Sequence, residues 1–129
     1  MATWSDVVSY VQANYKVADQ EPNMLKLVFD LGNMRSQLVF VWRVQPHGGD
    51  DWVQIESPIG ELGNIDLPKA LVFVSNTVCG GLAMVDQVVT FRHSLPLDNL
   101  SIAEFEAPLA MVTKTADEIE RTITGGDKF

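Results

Sequence analysis

The sequence contains one cysteine, no run of basic residues and no long hydrophobic segment, and each shortage excludes a class of protein. A single cysteine, Cys79, cannot form a disulfide within the chain, which is typical of a reducing compartment. Charged residues interrupt every hydrophobic stretch before it reaches the ~20 residues that a membrane-spanning helix needs. Nine Lys and Arg stand against 17 Asp and Glu, for a net charge of −8, so the positive footprint that nucleic acid requires is missing.

The N-terminus and the composition predict a cytoplasmic protein with one domain over residues 1–129. The first residues have neither the basic nor the apolar region of a secretory signal. Hydrophobic residues make up 47% of the chain and charged residues 20%, which is ordinary for a globular domain of this length. The acidity disfavours an anionic membrane surface. It is explained either by solubility or by a surface that shields basic or aggregation-prone partners.

Motifs of catalysis and cofactor binding are missing from the sequence. There is no Gly-x-Ser-x-Gly nucleophile elbow and no Gly-x-x-x-x-Gly-Lys-Ser/Thr phosphate loop. His47, His93 and Cys79 do not have the spacing of zinc ligands. We therefore expect a protein that is not an enzyme, with no metal and no cofactor.

The segment 45–52, Gln-Pro-His-Gly-Gly-Asp-Asp-Trp, places one imidazole and two carboxylates close together in the sequence. It lies between two strand patterns, and Pro, Gly-Gly and Asp-Asp all favour turns. With two glycines beside them, His47, Asp50 and Asp51 have no rigid orientation, which a metal or acid/base site requires. The segment predicts a hairpin loop rather than a catalytic centre.

Hydrophobic periodicity predicts an α+β fold with the element order α-β-β-β-α-β-β-α. Helices are expected at 3–15, 66–76 and 101–124, the last with a kink or restart near Pro108 and an end at Gly125-Gly126. Strands are expected at 24–31, 37–45, 52–57, 82–85 and 88–93. The polar segment 16–23, which contains Pro22, predicts a loop. The nearly continuous hydrophobicity of 37–45 indicates a central strand or one with a second covered face.

Four short phrases stand in a characteristic order along these elements. They are Glu-Ser-Pro-Ile-Gly at 56–60, Leu-Pro-Lys-Ala-Leu at 67–71, Arg-His-Ser-Leu-Pro-Leu at 92–97 and Thr-Ala-Asp-Glu-Ile at 115–119. Together with the element order, they resemble the YbjN family of small bacterial proteins, described as sensory transduction regulators, over nearly the whole chain. That family shares its fold with the class I chaperones of type III secretion. The resemblance implies a five-stranded antiparallel sheet with helices packed on it, commonly a homodimer, and no catalytic residues.

Two features are candidates for a protein interface. Trp52 alternates with its neighbours so that it lies on the face opposite Val53 and Ile55, and aromatic residues are enriched in interface cores. The last helix has a heptad-like apolar seam, which forms either part of the core or a dimer contact. The candidate residues of this seam are Leu109, Val112, Ala116, Ile119 and Ile123.

Two functions remain open at this point. The favoured one is a non-catalytic protein-interaction or chaperone-like regulatory module of a bacterial cytoplasm. The alternative is a small-molecule-binding or enzymatic domain whose site is assembled from distant polar residues, namely Arg43, Asp86, Arg92 and His93. A deep polar pocket that gathers those four side chains would favour the alternative, and a flat or grooved apolar surface with symmetric burial would favour the interaction module.

Overall fold

The computed structural model describes residues 3–124, and within that range the chain forms three helices and six strands. They are α1 (Trp4–Asn14), β1 (Val17–Glu21), β2 (Met24–Gly32), β3 (Arg35–Val44), β4 (Trp52–Glu61), α2 (Leu67–Val74), β5 (Gly81–Val85), β6 (Val88–Pro96) and α3 (Ile102–Ile119). A π-helical turn, Glu120–Thr124, continues α3. The predicted helix end at Gly125-Gly126 lies outside the described residues.

All six strands belong to one antiparallel sheet, in the order β1-β2-β3-β4-β6-β5. Side chains on a strand alternate between the two faces of a sheet, and the helices pack on one face only. We call this the inner face. Its fully buried residues include Leu27, Val39, Ile55 and Phe91, which share one core with Phe105 of α3. Among the described helices, none is long and apolar enough to span a membrane.

The prediction of five strands was wrong, because the segment predicted to be a loop contains β1. Four of the five β1 side chains are exposed, so the strand lacks the apolar alternation by which the others are recognised. Backbone pairing with β2 holds it at the edge of the sheet, from Val17 opposite Leu27 to Glu21 opposite Met24. A polar edge strand such as β1 therefore cannot be recognised from the pattern of hydrophobic residues in the sequence.

Strand β4 runs four residues beyond its predicted end, through Pro58 to Glu61. Proline cannot donate to a ladder, and the pairing of β4 with β3 stops at Glu56. Beyond Glu56 the buried amide of Gln37, a β3 residue, supplies the hydrogen bonds to β4. Its Nε2 donates to Ser57 Oγ at 2.8 Å and to the Pro58 carbonyl at 3.0 Å. A side chain thus replaces the missing backbone bonds.

Helix α3 passes through Pro108 without the predicted restart, and the alternative of a kink near Pro108 stays a prediction. Proline within a helix costs about 3 kcal/mol. Phe105, Leu109 and Val112 lie on both sides of Pro108 and are at most 1% exposed. Each such burial contributes about 1.5–3 kcal/mol, so the core holds the helix together across the proline.

The start of α3 makes the stability of the fold depend on pH in the acid range. Ser101 and Glu104 form a capping box, in which the Ser101 N–H donates to Glu104 Oε1 at 3.0 Å and the Glu104 N–H donates to Ser101 Oγ at 3.1 Å. The backbone hydrogen bond from Ser101 lowers the pKa of Glu104 from its ordinary 4.5. The stabilisation by this carboxylate is therefore complete above pH 4.5 and is lost as the pH falls through the folded-state pKa.

We expect Glu104→Gln to unfold at a lower urea concentration than the wild type at neutral pH, with the difference closing in acid. Urea midpoints measured across the acid range test this. Glu106→Gln is the matched control, because Glu106 is exposed on the same helix and makes no hydrogen bond to a described residue. A Glu104→Gln curve parallel to the wild-type curve at every pH would contradict the assignment.

Candidate functional site

The face of the sheet turned away from the helices is apolar and has no helix over it. We call it the outer face; its central residues are Leu38, Phe40, Trp42, Val44, Trp52, Glu56, Thr90 and Arg92. Its five hydrophobic members are only half-buried, although their strand neighbours on the inner face are fully buried. Phe40 and Trp42 stack with their ring centroids 6.0 Å apart. The hydrophobicity of β3 on both faces therefore reflects a core on one side and an open aromatic surface on the other.

Two concavities lie side by side on the outer face. The first has a volume of about 320 Å³ and is lined by Leu38, Phe40, Trp42, Glu56, Pro58, Val85, Asp86, Val88 and Thr90. The second, of about 590 Å³, is lined by Val44, Gln45, Pro46, His47, Trp52, Gln54 and Ser94. The aromatic surface is therefore grooved, which is one of the two surface forms that favour the interaction hypothesis.

Glu56 lines the first concavity and is 6% exposed. Thr90 Oγ1 donates to Glu56 Oε2 at 3.1 Å, and Arg92 Nε donates to the same oxygen at 2.7 Å. The Arg92 guanidinium makes a second contact through Nη2 at 2.5 Å, again with Oε2. The register explains the cluster, because Glu56 pairs directly with Arg92 across β4 and β6. A partly exposed Arg92 thus pairs with a buried Glu56 on the otherwise apolar outer face.

A second apolar surface lies at the β5 end of the sheet, and we call it the α2–β5 edge. Leu71 of α2 is 54% exposed, and Met84 and Val85 of β5 are 53% and 45% exposed. Between the helix and the strand runs a groove of about 320 Å³, lined by Leu62, Leu67, Leu71, Leu82, Ala83, Met84 and Val89. Ala70 is the one fully buried residue of α2, and Leu71 and Val72 of this helix are exposed to solvent.

The apolar seam of the last helix lies inside the chain. Leu109, Val112, Ala116 and Ile119 are at most 1% exposed and belong to the core. Ile123 is half-buried against that core in the π-helical turn. Because these side chains already contact the sheet, they offer no surface to a second copy. Trp52 is half-buried on the outer face, on the side opposite Val53 and Ile55 as expected.

The four polar residues of the alternative function do not come together. Arg92 lies on the outer face, whereas His93 and Arg43 pair with Ile55 and Val53 on the inner face. Asp86 lies in the turn between β5 and β6. His93 is engaged in the fold, since its Nδ1 accepts a hydrogen bond from the Gly80 N–H at 3.0 Å. Adjacent residues of one strand point to opposite faces, so Arg92 and His93 cannot act on one substrate.

Residues 45–51 form the loop between β3 and β4, as predicted, and Trp52 begins β4. Asp51 Oδ1 accepts a hydrogen bond from Gln45 Nε2 at 2.7 Å and lies 3.0 Å from Arg43 Nε. The Arg43 guanidinium holds the pKa of Asp51 below its ordinary value. The carboxylate is thus engaged with neighbours from its own hairpin, and His47 is exposed. Over residues 3–124, no three His, Cys, Asp or Glu side chains are grouped as metal ligands.

Cys79 is half-buried in the connection between α2 and β5. Burial raises the pKa of its thiol. A nucleophilic cysteine requires the opposite, a lowered pKa that favours the thiolate. The environment of Cys79 therefore suits packing rather than covalent chemistry.

Neither a family model nor a curated protein sequence matches this chain. Its fold is nevertheless similar to a chain in the solved "Structure of the HopA1-SchA Chaperone-Effector Complex". The alignment covers 91% of this chain and 90% of that chain, with a TM-score of 0.65 and 11% sequence identity. The class is therefore an α+β protein with a chaperone-like fold, an antiparallel sheet with helices on one face. The similarity lies in the fold and does not single out the YbjN family.

Sequence reasoning found Trp52 but missed the rest of the outer face. The signal was the nearly continuous hydrophobicity of 37–45, which predicted a central strand or a second covered face. The strand is central, and its second face is open. Glu56 had no signal of its own, because an isolated glutamate in a strand pattern usually faces solvent.

Proposed function

We propose that this protein is a non-catalytic, chaperone-like module that binds an apolar segment of another polypeptide on its outer face. The observation that carries the proposal is the open aromatic surface around Phe40, Trp42 and Trp52. Contiguous exposed apolar surface marks interaction sites in soluble proteins, and tryptophan dominates the energetics of many interfaces. The similarity to a chain from a chaperone–effector complex supports the same class of function.

We also propose that the protein is a homodimer that forms through the α2–β5 edge. The two edges of the sheet differ in how they are protected. β1 carries Asp19 and Glu21 and an irregular register, features that discourage strand pairing. β5, with the sequence Gly-Leu-Ala-Met-Val, has no charge and no proline and lies beside exposed α2. A second copy on this edge would cover both the free strand edge and the exposed side chains.

The resemblance to the YbjN proteins extends the proposal to a bacterial cytoplasm. Its support is the element order and the four phrases at 56–60, 67–71, 92–97 and 115–119. The single cysteine fits a reducing compartment. On this interpretation the protein regulates another protein by binding it.

Binding to a permanently unfolded protein tests the proposed function. The probe is reduced, carboxamidomethylated ribonuclease A, and the measurement is isothermal titration calorimetry. We expect the wild type to bind it and Trp42→Ser to bind at least tenfold more weakly, because truncating a central interface tryptophan costs about 2 kcal/mol or more. Circular dichroism establishes that the variant is folded.

The control for this experiment is Met34→Ser. Met34 is fully exposed in the turn between β2 and β3 and does not line the outer-face concavities. Its substitution removes a hydrophobic side chain without touching the proposed site. Wild-type protein that does not bind the unfolded probe, or equal binding by Trp42→Ser, would refute the proposal.

A further inference from the structure

We propose that the first concavity of the outer face recognises a cationic side chain, arginine or lysine, carried on the apolar segment of the partner polypeptide. This inference rests on the proposed function and names the partner's chemistry. Four observations carry it: an oxygen of Glu56, a second carboxylate, the aromatic wall, and the length of the apolar surface.

The first observation is the uneven use of the Glu56 carboxylate. Thr90 and Arg92 both bond to Oε2, and no described residue donates to Oε1. Oε1 of this otherwise buried side chain keeps contact with solvent, so it can accept a further hydrogen bond from outside the fold. Since Glu56 lines the first concavity, a donor that enters there can reach this oxygen. An ionised donor would form the stronger bond.

The second observation is the charge around the concavity. Its lining contains two carboxylates, Glu56 and Asp86, and Arg92 already pairs with Glu56. Lys26 is opposite Phe40 in the register and does not line the concavity. Among the residues that the structure describes, one negative charge at this site therefore has no cation paired with it. The net charge of −8 over the whole chain favours the approach of a cationic partner.

The third observation is the aromatic wall. A guanidinium or ammonium group is attracted to the face of an aromatic ring, most strongly to that of tryptophan. The stacked rings of Phe40 and Trp42 line the same concavity as the carboxylates. Leu38, Val85 and Val88 complete its apolar lining, which suits the methylene stem of a long cationic side chain.

The fourth observation indicates a polypeptide rather than a free amine. The apolar row on the outer face of β3 runs from Leu38 to Val44, which at ~3.3 Å per residue spans roughly 20 Å. Beyond it lies the second concavity, where Trp52 supplies another aromatic side chain. A small cation would use the first concavity alone. A peptide would use both, with its cationic side chain in the first and apolar side chains along the row.

A pair of synthetic nonapeptides tests the inference directly. One has a central arginine between leucine, valine and serine residues, and the other has citrulline at that position, which is uncharged and nearly the same shape. We expect calorimetry to show at least tenfold weaker binding of the citrulline peptide. Asp86→Asn and Glu56→Gln should each weaken binding of the arginine peptide about fivefold or more and leave that of the citrulline peptide unchanged.

Asp86→Asn and the control Asp19→Asn separate the site from general effects on the fold or the net charge. Asp86 has a φ of +54°, a conformation that asparagine tolerates well, so Asp86→Asn keeps the turn intact even if Glu56→Gln disturbs the ion pair. Asp19→Asn makes the same change of charge on exposed β1, far along the sheet from the concavity. It should leave binding of both peptides unchanged.

Four outcomes would overturn the inference. Equal affinity for the arginine and citrulline peptides would show that the site does not recognise a positive charge. Binding of unfolded ribonuclease A would in that case still support the proposed function. Ethylguanidinium binding as tightly as the arginine peptide would indicate a small-molecule site. A dimer that dissociates on substitution of Trp42 would show that a second copy occupies the outer face. Failure of the wild type to bind either peptide or the unfolded protein would refute both proposals together.

Discussion

Gly80→Ala is expected to destabilise the fold by about 3 kcal/mol, which combines overpacking with left-handed backbone strain. Gly80 has a φ of +87°, a conformation that costs little only for glycine. A Cβ placed there would lie 2.4 Å from Cζ and 2.6 Å from Cε2 of Phe91. Phe91 is fully buried, so its ring cannot move aside without opening the core. The Gly80 N–H also donates to His93 Nδ1, which holds the backbone in place above the ring.

Thermal and urea unfolding measure this effect, and a loss of 3 kcal/mol corresponds to a fall in Tm of roughly 10 °C for a domain of this size. Gly81→Ala is the matched control. A Cβ at Gly81 meets no atom within 4 Å, and its φ lies outside the left-handed region. We expect Gly81→Ala to stay within about 1 kcal/mol of the wild type. Similar unfolding midpoints for the two variants would mean that the contact with Phe91 is not tight.

Met84→Lys is expected to convert the proposed dimer into a monomer. Met84 is 53% exposed on β5, in the groove between α2 and the sheet edge. In a dimer through the α2–β5 edge, the lysine would place an unpaired ammonium in an apolar contact. Such a burial costs several kcal/mol, so the dissociation constant should rise about 100-fold or more. Natural edge strands use lysine in this way to prevent pairing.

Light scattering and sedimentation velocity distinguish the two states. Met34→Lys introduces the same charge at a fully exposed methionine in the turn between β2 and β3, which does not line the α2–β5 groove, and it should leave the dimer intact. Both variants should keep the wild-type stability of the folded monomer, because neither methionine is buried. A wild-type protein that sediments as a monomer at micromolar concentration would contradict the proposed dimer itself.

Local patterns were enough to predict most elements of the fold. The first helix was predicted from residue 3, and it begins at Trp4 after an N-cap at Thr3 that forms both hydrogen bonds of a capping box with Asp6. The strands over 24–31 and 37–45 were predicted from a period of two, which depends only on neighbours along the chain. The loop over 45–52 was recognised from glycine and proline. Each of these features is decided within about ten residues, so the sequence contains the necessary information.

The errors occurred where partners distant in sequence decide the structure. β1 exists because β2 offers it a free edge, and no hydrophobic pattern records that pairing. Pro108 remains within a helix because the sheet buries the residues on both sides of it. Pro58 remains within a strand because β6 pairs with β4 on both sides of it and Gln37, twenty-one residues away, donates to its carbonyl. In each case a tertiary contact outweighs a local preference.

The same division applies to the candidate site. From the sequence alone, an acidic chain without catalytic motifs could be assigned to protein interaction, and Trp52 could be placed on the face opposite Val53 and Ile55. Only the tertiary structure decided which hydrophobic residues are core and which are surface. It buried the seam from Leu109 to Ile119 against the sheet and left Phe40 and Trp42 uncovered. Periodicity assigns a side chain to a face, whereas the packing of other elements determines whether that face is covered.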